Sequence, residues 1–330
     1  MILKNKNIKL VILGGGTGLS NVLTALKDDY DKIIKKLTAI VTVADSGGSS
    51  GYLKKIFDIP AIGDIRNCLL ALSNIENYFK EIFQKRFSKG NGLKGHPLGN
   101  LFLVSLIENE GDFLRAIKKA SKILKINGEI MPSCLEKIDL VARFENGKTI
   151  VGEENIVKYG ISKKLRIKEL KIKPQNIKSP PQVIKRIRAA DIIIFSPGSL
   201  YTSILPNLLI NDIRRAVINS KALRIFMINL LTQPGETDNF TAFDHLSEFL
   251  RISKLPKVDI CIVNTKKLPA NKISILKNEN KKMVLPDVDK IKKIGIKIYS
   301  GNFINEKDIY LKHDPKKISK TIFKIIKDYF

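Results

Sequence analysis

The sequence contains no tryptophan, few cysteines and no long apolar run. Cys68, Cys134 and Cys261 stand far apart without a C-x-x-C pair, so neither a disulfide framework nor a thiolate zinc site is indicated. The longest uncharged apolar runs, Leu101–Ile107 and Ile192–Phe195, are too short to cross a bilayer. Lysines interrupt the apolar residues near the N-terminus, so we expect no signal peptide and predict a cytoplasmic protein.

The overall composition is that of a folded chain. Of 330 residues, 44% are hydrophobic and 27% charged, which excludes intrinsic disorder and collagen-like repeats. The formal net charge of +26 comes mostly from lysine, and tryptophan is absent. Because base recognition relies on arginine and on stacking aromatics, we expect no specific nucleic-acid binding. The charge does favour small anionic ligands such as nucleotides.

Short apolar runs that end in small polar residues organise the chain. Ile8–Leu13, Leu37–Val43, Asp191–Phe195, Leu223–Leu230 and Val258–Val263 are predicted strands. Strands this uniformly apolar are buried on both faces, which is typical of a parallel sheet with helices on each side. The sequence therefore predicts a doubly wound, mostly parallel α/β fold.

A second kind of segment is expected at about 135–175. Asn146-Gly147 lies between two strand-like runs, Lys137–Phe144 and Lys148–Val151, which indicates a hairpin. We expect the chain to remain strand-like up to Pro174, as a small β insertion within one large domain. Residues 178–190 are predicted to be a helix, and 315–330 an amphipathic helix docked on the core.

The loop Gly14–Gly18 is the strongest indication of a ligand. Glycine allows the backbone to approach a phosphate closely, and the N-terminus of the following helix favours an anion. Leu19 replaces the last glycine of a strict dinucleotide fingerprint, and no P-loop lysine follows. A second glycine-rich loop follows Asp45, which could accept sugar hydroxyls, hold Mg²⁺ or cap a helix.

Other polar loops are predicted to meet at the same edge of the sheet. Asp64 and Arg66 are a helix cap and an anion-capturing side chain, with a surface ion pair as the alternative. His96 has no metal-binding partner nearby, so a hydrogen-bonding or general-acid role is left open. No nucleophile stands out, and we assign neither catalytic nor metal-ligating residues.

Six motifs occur in an order that resembles one family. They are Gly-Gly-Gly-Thr-Gly-Leu-Ser at 14–20, Thr-Val-Ala-Asp-Ser-Gly-Gly-Ser-Ser-Gly at 42–51, Gly-Asp-Ile-Arg-Asn at 63–67, Gly-His-Pro-Leu-Gly-Asn at 95–100, Pro-Gly-Ser-Leu-Tyr-Thr-Ser at 197–203 and Thr-Gln-Pro-Gly-Glu-Thr at 232–237. The chain resembles the gluconeogenesis factor (YvcK-like) proteins of the CofD-like superfamily, which also contains the 2-phospho-L-lactate transferases.

The resemblance implies a Rossmann-like core and a nucleotide-sugar ligand, UDP-N-acetylglucosamine. It implies a regulatory role in carbon metabolism, cell shape and envelope synthesis, with protein partners there. The alternative is a Mg²⁺-dependent phospho-group transferase. A homo-oligomer is left open.

By resemblance, Gly14–Gly18 and Ser199–Thr202 would hold phosphates. The ligand-binding residues predicted from the loops and the resemblance are Gly14, Gly15, Gly16, Thr17, Gly18, Asp45, Ser46, Gly47, Gly48, Ser49, Asp64, Arg66, Asn67, His96, Asn100, Gly198, Ser199, Tyr201, Thr202, Asn229, Thr232, Gln233 and Lys312.

The chain departs from the family pattern at two positions. Ser46 stands where many members have a second aspartate, which removes one metal or ribose ligand. Lys312 stands where the family often has arginine, and lysine lacks the two-pronged donor geometry of a guanidinium.

Overall fold

The computed structural model describes residues 7–27, 34–268, 276, 279–306, 308 and 311–330. Of the three lysines on which the signal-peptide prediction rests, Lys4 and Lys6 lie outside these ranges and Lys9 lies within them. The strands are β1 (Ile8–Gly14), β2 (Ile34–Val41), β3 (Glu129–Pro132), β4 (Asp139–Phe144), β5 (Thr149–Val151), β6 (Ile167–Lys173), β7 (Ile192–Phe195), β8 (Leu223–Met227), β9 (Ile260–Asn264) and β10 (Lys297–Gly301).

Helices connect and cover these strands. They are α1 (Gly16–Lys27), α2 (Gly48–Ile56), α3 (Gly63–Leu72), α4 (Asn77–Gln84), α5 (Leu98–Glu110), α6 (Phe113–Ile123), α7 (Glu153–Lys163), α8 (Pro181–Arg188), α9 (Leu205–Leu209), α10 (Asn211–Ile218), α11 (Ala242–Ser253), α12 (Val288–Lys293) and α13 (Pro315–Tyr329). A π-helical turn, Leu200–Ile204, precedes α9.

The five predicted strands and two edge strands that were not predicted, β3 and β10, form one seven-stranded sheet in the order β10-β9-β8-β7-β1-β2-β3. All of its neighbouring strands run parallel. The central strand residues Leu10, Ile12, Ile194 and Ile260 have no solvent exposure, as expected when helices cover both faces. The doubly wound parallel α/β fold predicted from the sequence is confirmed.

The order of the strands defines where a ligand can bind. The chain places β2 and β3 on one side of β1 and then returns to place β7, β8, β9 and β10 on the other. The direction of winding therefore reverses between β1 and β7. Loops at the carboxyl ends of these two strands diverge and leave a crevice, the usual ligand position in open α/β sheets.

The segment 135–175 differs from its predicted description. β4 pairs antiparallel with both β5 and β6 in a separate three-stranded sheet. The strand-like prediction up to Pro174 is wrong, because α7 occupies Glu153–Lys163. Ile156 and Gly160 lie one turn apart and are buried on one face, and two glutamates in the first turn favour a helix N-terminus.

The last fifteen residues before Phe330 form α13. Its isoleucines Ile318, Ile322, Ile325 and Ile326 are buried, while most of its lysines face solvent. The carboxylate of Asp314 caps the helix by accepting the backbone N–H groups of Lys316 and Lys317. Across the described residues, none of the helices combines the length and apolar character needed to traverse a bilayer.

Candidate functional site

The loops after β1 and β7 contact each other through glycine. A Cβ atom on Gly18 would lie 1.9 Å from the carbonyl oxygen of Pro197, and one on Gly14 would lie 2.0 Å from Oγ of Ser196. Gly16 has a φ of +60°, a left-handed conformation that favours glycine. The glycines of the 14–18 loop thus bring the N-terminus of α1 directly against the loop that follows β7.

A cavity of about 180 Å³ opens beside this contact. Its wall includes residues that were predicted to bind a ligand: Thr17, Gly18, Gly198, Asn229, Thr232, Gln233 and Lys312. It also includes polar residues that the sequence analysis did not select: Asn21, Lys281 and His313. Asn21 follows the glycine loop by one helical turn, and His313 follows Lys312, so their positions along the chain were available signals.

Asn229 holds the loop after β7 in place. Its side-chain oxygen accepts the backbone N–H of Gly198 at 2.8 Å, and its side-chain nitrogen donates to the carbonyl of the same residue at 2.7 Å. Gly198 has a φ of +145°, which a side chain at this position would rarely adopt. Asn229 therefore lines the cavity and fixes the shape of its neighbouring loop.

The hydroxyl-rich loop after β7 already has an internal carboxylate as its partner. Glu236 accepts the backbone N–H of Tyr201 at 3.4 Å and the hydroxyl of Thr202 at 3.3 Å. Burial raises the pKa of Glu236 to about 7. Gln233 donates to the hydroxyl of Ser199 at 2.6 Å. The structure thus shows that this loop accommodates a buried carboxyl group, while its role with a ligand phosphate stays a prediction.

Tyr201 itself points into the core. It is 1% exposed, and its hydroxyl donates to Glu248 at 2.7 Å. Burial and the adjacent carboxylate raise the pKa of this phenol above its ordinary value. Its side chain therefore packs in the core and anchors the loop after β7.

A group of carboxyl side chains lies on the β2 side of the glycine loop. A Cβ on Gly15 would be 2.6 Å from Oδ2 of Asp64, whose carboxylate also accepts the backbone N–H of Gly16. Burial, with the charge of Asp45, raises the pKa of Asp64 to about 7. Burial and a hydrogen bond with Asp45 raise the pKa of Glu153 to about 8. These three acids form one electrostatically coupled group beside the crevice.

The backbone amides of the 46–48 loop also bind carboxylates. Asp45 accepts from Gly47 at 2.8 Å, and the α7 residues Glu153 and Glu154 accept from Ser46 and Gly48 at 3.3 Å each. Side chains of the β insertion therefore occupy the amides of Ser46 and Gly48, and Asp45 occupies that of Gly47, while a role of this loop with a ligand stays a prediction. Glu153 was missed because only tertiary folding brings the insertion to this loop.

The three acids Asp45, Asp64 and Glu153 do not form a magnesium site in this arrangement. Within the described ranges, no set of three or more His, Cys, Asp or Glu side chains could hold a metal ion. Asp45 shares a hydrogen bond with Glu153, which requires a proton on one of the two carboxyl groups, whereas a magnesium ion would need both to be ionised. We therefore assign no step to Mg²⁺.

A buried chain of hydrogen bonds connects the remaining predicted residues. Ser49 Oγ lies 2.8 Å from Nδ1 of His96, and Asn100 donates to that same hydroxyl at 2.9 Å. Arg66 donates to the side-chain oxygens of Asn100 at 3.0 Å and of Asn67 at 2.7 Å. The hydroxyl of Ser49 can donate to Nδ1 or accept from it, depending on the imidazole tautomer, and it accepts from Asn100 in either case.

Arg66 is an unusual member of this chain because it is 8% exposed and pairs with amides. Burial lowers its pKa to about 10, with the charge of Arg86 acting in the same direction. Its Nε lies buried without a hydrogen-bond partner among the described residues. The network connects α2, α3 and α5 and holds the first turn of α2 in place through Ser49.

Lys312 and His313 close the crevice from the C-terminal side. Lys312 is exposed and lies 3.5 Å from Asp308. His313 is 8% exposed, and burial lowers its pKa to about 4, although a hydrogen bond with the backbone of Ile228 opposes that shift. The backbone carbonyl of His313 accepts from Asn21 at 2.5 Å. The imidazole of His313 is therefore uncharged near neutral pH, and Lys312 supplies the positive charge on this side of the cavity.

The predicted residues divide into two neighbouring groups. The cavity collects those of α1 and of the loops after β7 and β8, together with Lys312. The carboxyl group and the hydrogen-bond chain lie on the β2 side, around Asp45, Asp64 and Ser49. The glycine loop separates the two groups and contacts both.

Comparison with known proteins shows the family of the chain. The model of the family described as 2-phospho-L-lactate transferase CofD matches residues 10–304. A protein of Aquifex aeolicus is 50% identical over 326 residues, which cover 98% of each chain. The Bacillus subtilis protein named gluconeogenesis factor is 40% identical over 320 residues, covering 97% of this chain and 98% of the relative.

A solved structure extends the similarity to three dimensions. The crystal structure of a UPF0052 family member from Bacillus halodurans superposes with a TM-score of 0.90 at 39% identity, covering 97% of this chain and 99% of that chain. At this identity the similarity reaches beyond a shared fold. On these matches the chain belongs to the CofD family and groups with its members named gluconeogenesis factor.

Proposed function

We propose that the chain is a cytoplasmic regulatory protein that binds a UDP-sugar, with UDP-N-acetylglucosamine as the expected ligand. Its role would link carbon metabolism to cell shape and envelope synthesis, as the resemblance implies. The observation that carries the proposal is the cavity between the N-terminus of α1 and the loops after β7 and β8.

The charges around this cavity favour a diphosphate. Lys281 and Lys312 contribute two cations to its wall, and Thr17 and Gly18 belong to the first turn of α1. Helix N-termini attract anions through free N–H groups and the helix dipole. The cavity holds about 180 Å³, less than the roughly 300–1,000 Å³ of whole-ligand pockets. We therefore assign it to the diphosphate, with the rest of the ligand along the open crevice.

The three acids on the β2 side of the glycine loop indicate which end of the ligand faces them. The carboxyl oxygens of Asp45, Asp64 and Glu153 can accept hydrogen bonds from sugar hydroxyls, whereas any ionised carboxylate among them would repel a phosphate. We infer that the diphosphate lies towards Lys281 and Lys312, and that hydroxyl groups face the acids.

The crevice favours binding over turnover. The hydroxyl of Ser49 lies beside His96, but both side chains are less than a tenth exposed and belong to a hydrogen-bonded chain. The thiol of Cys68 is fully buried, and burial raises its pKa well above the ordinary value. A nucleophile would need both accessibility and activation, which these groups lack.

Thermal-shift and calorimetric titrations test the proposal. The panel is UDP-N-acetylglucosamine, UDP-glucose, GDP and NADH, each with and without Mg²⁺. A ligand at 100 times its dissociation constant stabilises a fold by about 2.7 kcal/mol, so moderate affinity is measurable. We expect selective stabilisation by a UDP-sugar and no new product. A response to GDP that requires Mg²⁺, with product formed from a phosphorylated donor, would favour the transferase alternative.

A further inference from the structure

A second and larger cavity lies at the opposite end of the sheet from the crevice. It holds about 620 Å³, within the size range of small-molecule sites. α6 and α8 form its two walls, and the edge strand β3 forms part of its floor. Lys36 and Glu129 contribute from the amino-terminal parts of β2 and β3, whereas the crevice follows the carboxyl ends of the strands.

The rim of this cavity is strongly basic. Lys118 and Lys122 project from one face of α6, and Lys125 follows that helix. All three are exposed, and none has an acidic partner in the described part of the chain. The four-residue spacing of Lys118 and Lys122 puts their ammonium groups on one side of α6, and Lys125 lines the same cavity from the turn that follows the helix.

The acid in the cavity is already neutralised. Glu129 receives two hydrogen bonds from Arg186, at 2.6 and 3.1 Å, and Lys36 lies 3.6 Å away. Burial acts to raise the pKa of Glu129, but the hydrogen bonds and charge of Arg186 outweigh it and hold the pKa below its usual range. The rim lysines are therefore left to an external anion.

The remaining wall of the cavity is apolar. Leu114, Ile126, Ile130, Met131 and Val183 line it together with Pro180. Burial of apolar surface contributes about 25 cal/mol per Å², so a hydrocarbon or ring in contact with this floor would add to the attraction of the rim. A cavity with a basic rim and an apolar wall fits a molecule that has an anionic head and an apolar body.

We propose that this cavity is a second binding site, for a small amphiphilic anion that carries a phosphate or carboxylate on an acyl chain or ring. The lysines of the 118–125 face bind the head, and the apolar floor takes the body. The site is independent of the UDP-sugar crevice.

Calorimetry of the full chain in about 0.15 M salt tests the site with defined probes. Octyl phosphate has both parts of the ligand, octyl glucoside lacks the charge, and inorganic phosphate lacks the apolar body. We expect saturable binding of one octyl phosphate per chain, roughly tenfold tighter than either comparison compound, since charge-assisted contacts contribute about 1.5–3 kcal/mol.

Two variants on the same helix separate this site from general attraction by the net charge. Lys122→Glu removes a rim cation, whereas Lys119→Glu makes the same change at an exposed position of α6 outside the cavity wall. We expect Lys122→Glu to weaken octyl phosphate binding about tenfold and Lys119→Glu to change it less than about twofold. Neither variant should alter the response to a UDP-sugar.

The results also distinguish the source of the ligand and the ways the proposal fails. If Lys122→Glu also abolishes binding to phosphatidylglycerol vesicles, the anion is a lipid headgroup, and otherwise it is a free metabolite. Equal loss in both variants, or no saturable binding of octyl phosphate, overturns the proposal. Binding of an acidic glutamate-rich peptide in place of octyl phosphate would also overturn it and make the cavity a peptide groove.

Discussion

Asn100 lies between Ser49 and Arg66 and hydrogen-bonds both. In Asn100→Ala, a buried guanidinium nitrogen and a buried hydroxyl each lose a partner. Since an unsatisfied buried group costs about 1–3 kcal/mol, we expect the free energy of unfolding to fall by about 2–3 kcal/mol, measured by urea denaturation. The exposed Asn91→Ala should change it by less than about 0.5 kcal/mol. Full stability of Asn100→Ala with lost ligand binding would instead make Asn100 a direct ligand contact.

Lys312 tests the cationic side of the crevice. Lys312→Ala should weaken UDP-N-acetylglucosamine about tenfold, because one charge-assisted contact to the diphosphate is lost. Lys312→Arg should bind at least as tightly as the parent, since arginine can donate two parallel hydrogen bonds to a phosphate. Lys316→Ala is the control, because Lys316 is exposed at the start of α13 and does not line the cavity. Equal affinities of all three variants would remove Lys312 from the site.

The raised pKa of Asp64 makes the stability of the folded chain depend on pH. The folded-state pKa of Asp64 is about 7, against 3.8 for an unperturbed aspartate, so between these values the folded chain binds more protons than the unfolded chain. Stability contributed by protonated Asp64 is therefore lost as pH rises from about 4 to 7. Asp64→Asn stays neutral, so its stability relative to the parent should increase with pH over this window, followed by urea denaturation. Glu108→Gln, at an exposed acid, should show no such trend.

Single residues also mark the limit of what the sequence could predict. The glycines at 14–18 were identifiable because their close approach to Pro197 is a backbone requirement that few residue types satisfy. Glu153 was missed because an isolated glutamate carries no signal of burial, and Glu236 was missed although it stands in the 232–237 motif, because the motif does not show which of its side chains turn inwards. Their role depends on which loop the folded chain brings to them.

At the scale of elements, α7 bridges two sides of the crevice. Its first turn binds the 46–48 loop, and a Cβ on Gly160 would lie 2.1 Å from the carbonyl of Gly235. Gly160→Val should therefore separate the helix from the 232–237 loop, lower the melting temperature by several degrees and accelerate proteolysis within the insertion. Lys163→Ala, at the exposed end of the same helix, is the control. Unchanged proteolysis of Gly160→Val would show that the helix is not held by this contact.

The same helix shows why elements differ in how well the sequence predicts them. The core strands were identified because an uninterrupted apolar run has few alternatives to a buried strand. α7 was missed because only Ile156 and Gly160 are buried in it, and two buried positions give a weak helical pattern. Its other positions mix lysine, serine and β-branched residues. Its position was determined by contact with two loops, which a local pattern does not contain.

At the scale of the whole molecule, the sequence predicts one large domain with a small insertion. Buried residues of the insertion, including Leu140, Phe144 and Ile172, belong to the same hydrophobic cluster as the residues of the seven-stranded sheet. Arg251 of α11 donates to the backbone carbonyl of Lys168 in β6, and Lys54 of α2 donates to the carbonyl of Ile138. Core and insertion therefore share apolar burial and polar contacts.

A shared core predicts that the two sheets unfold together. Separate units would each bury their own apolar surface and could lose structure at different denaturant concentrations, whereas a continuous cluster couples the loss of one to the other. We expect urea unfolding followed by far-ultraviolet circular dichroism to coincide with unfolding followed by a probe attached at residue 148 through Lys148→Cys in a cysteine-free background. Lys148 is exposed at the hairpin of the insertion, so the probe reports on that sheet. An earlier transition at residue 148 than in the circular dichroism signal would show that the insertion is a separate folding unit, and the crevice would then lose the α7 carboxylates before the main sheet unfolds.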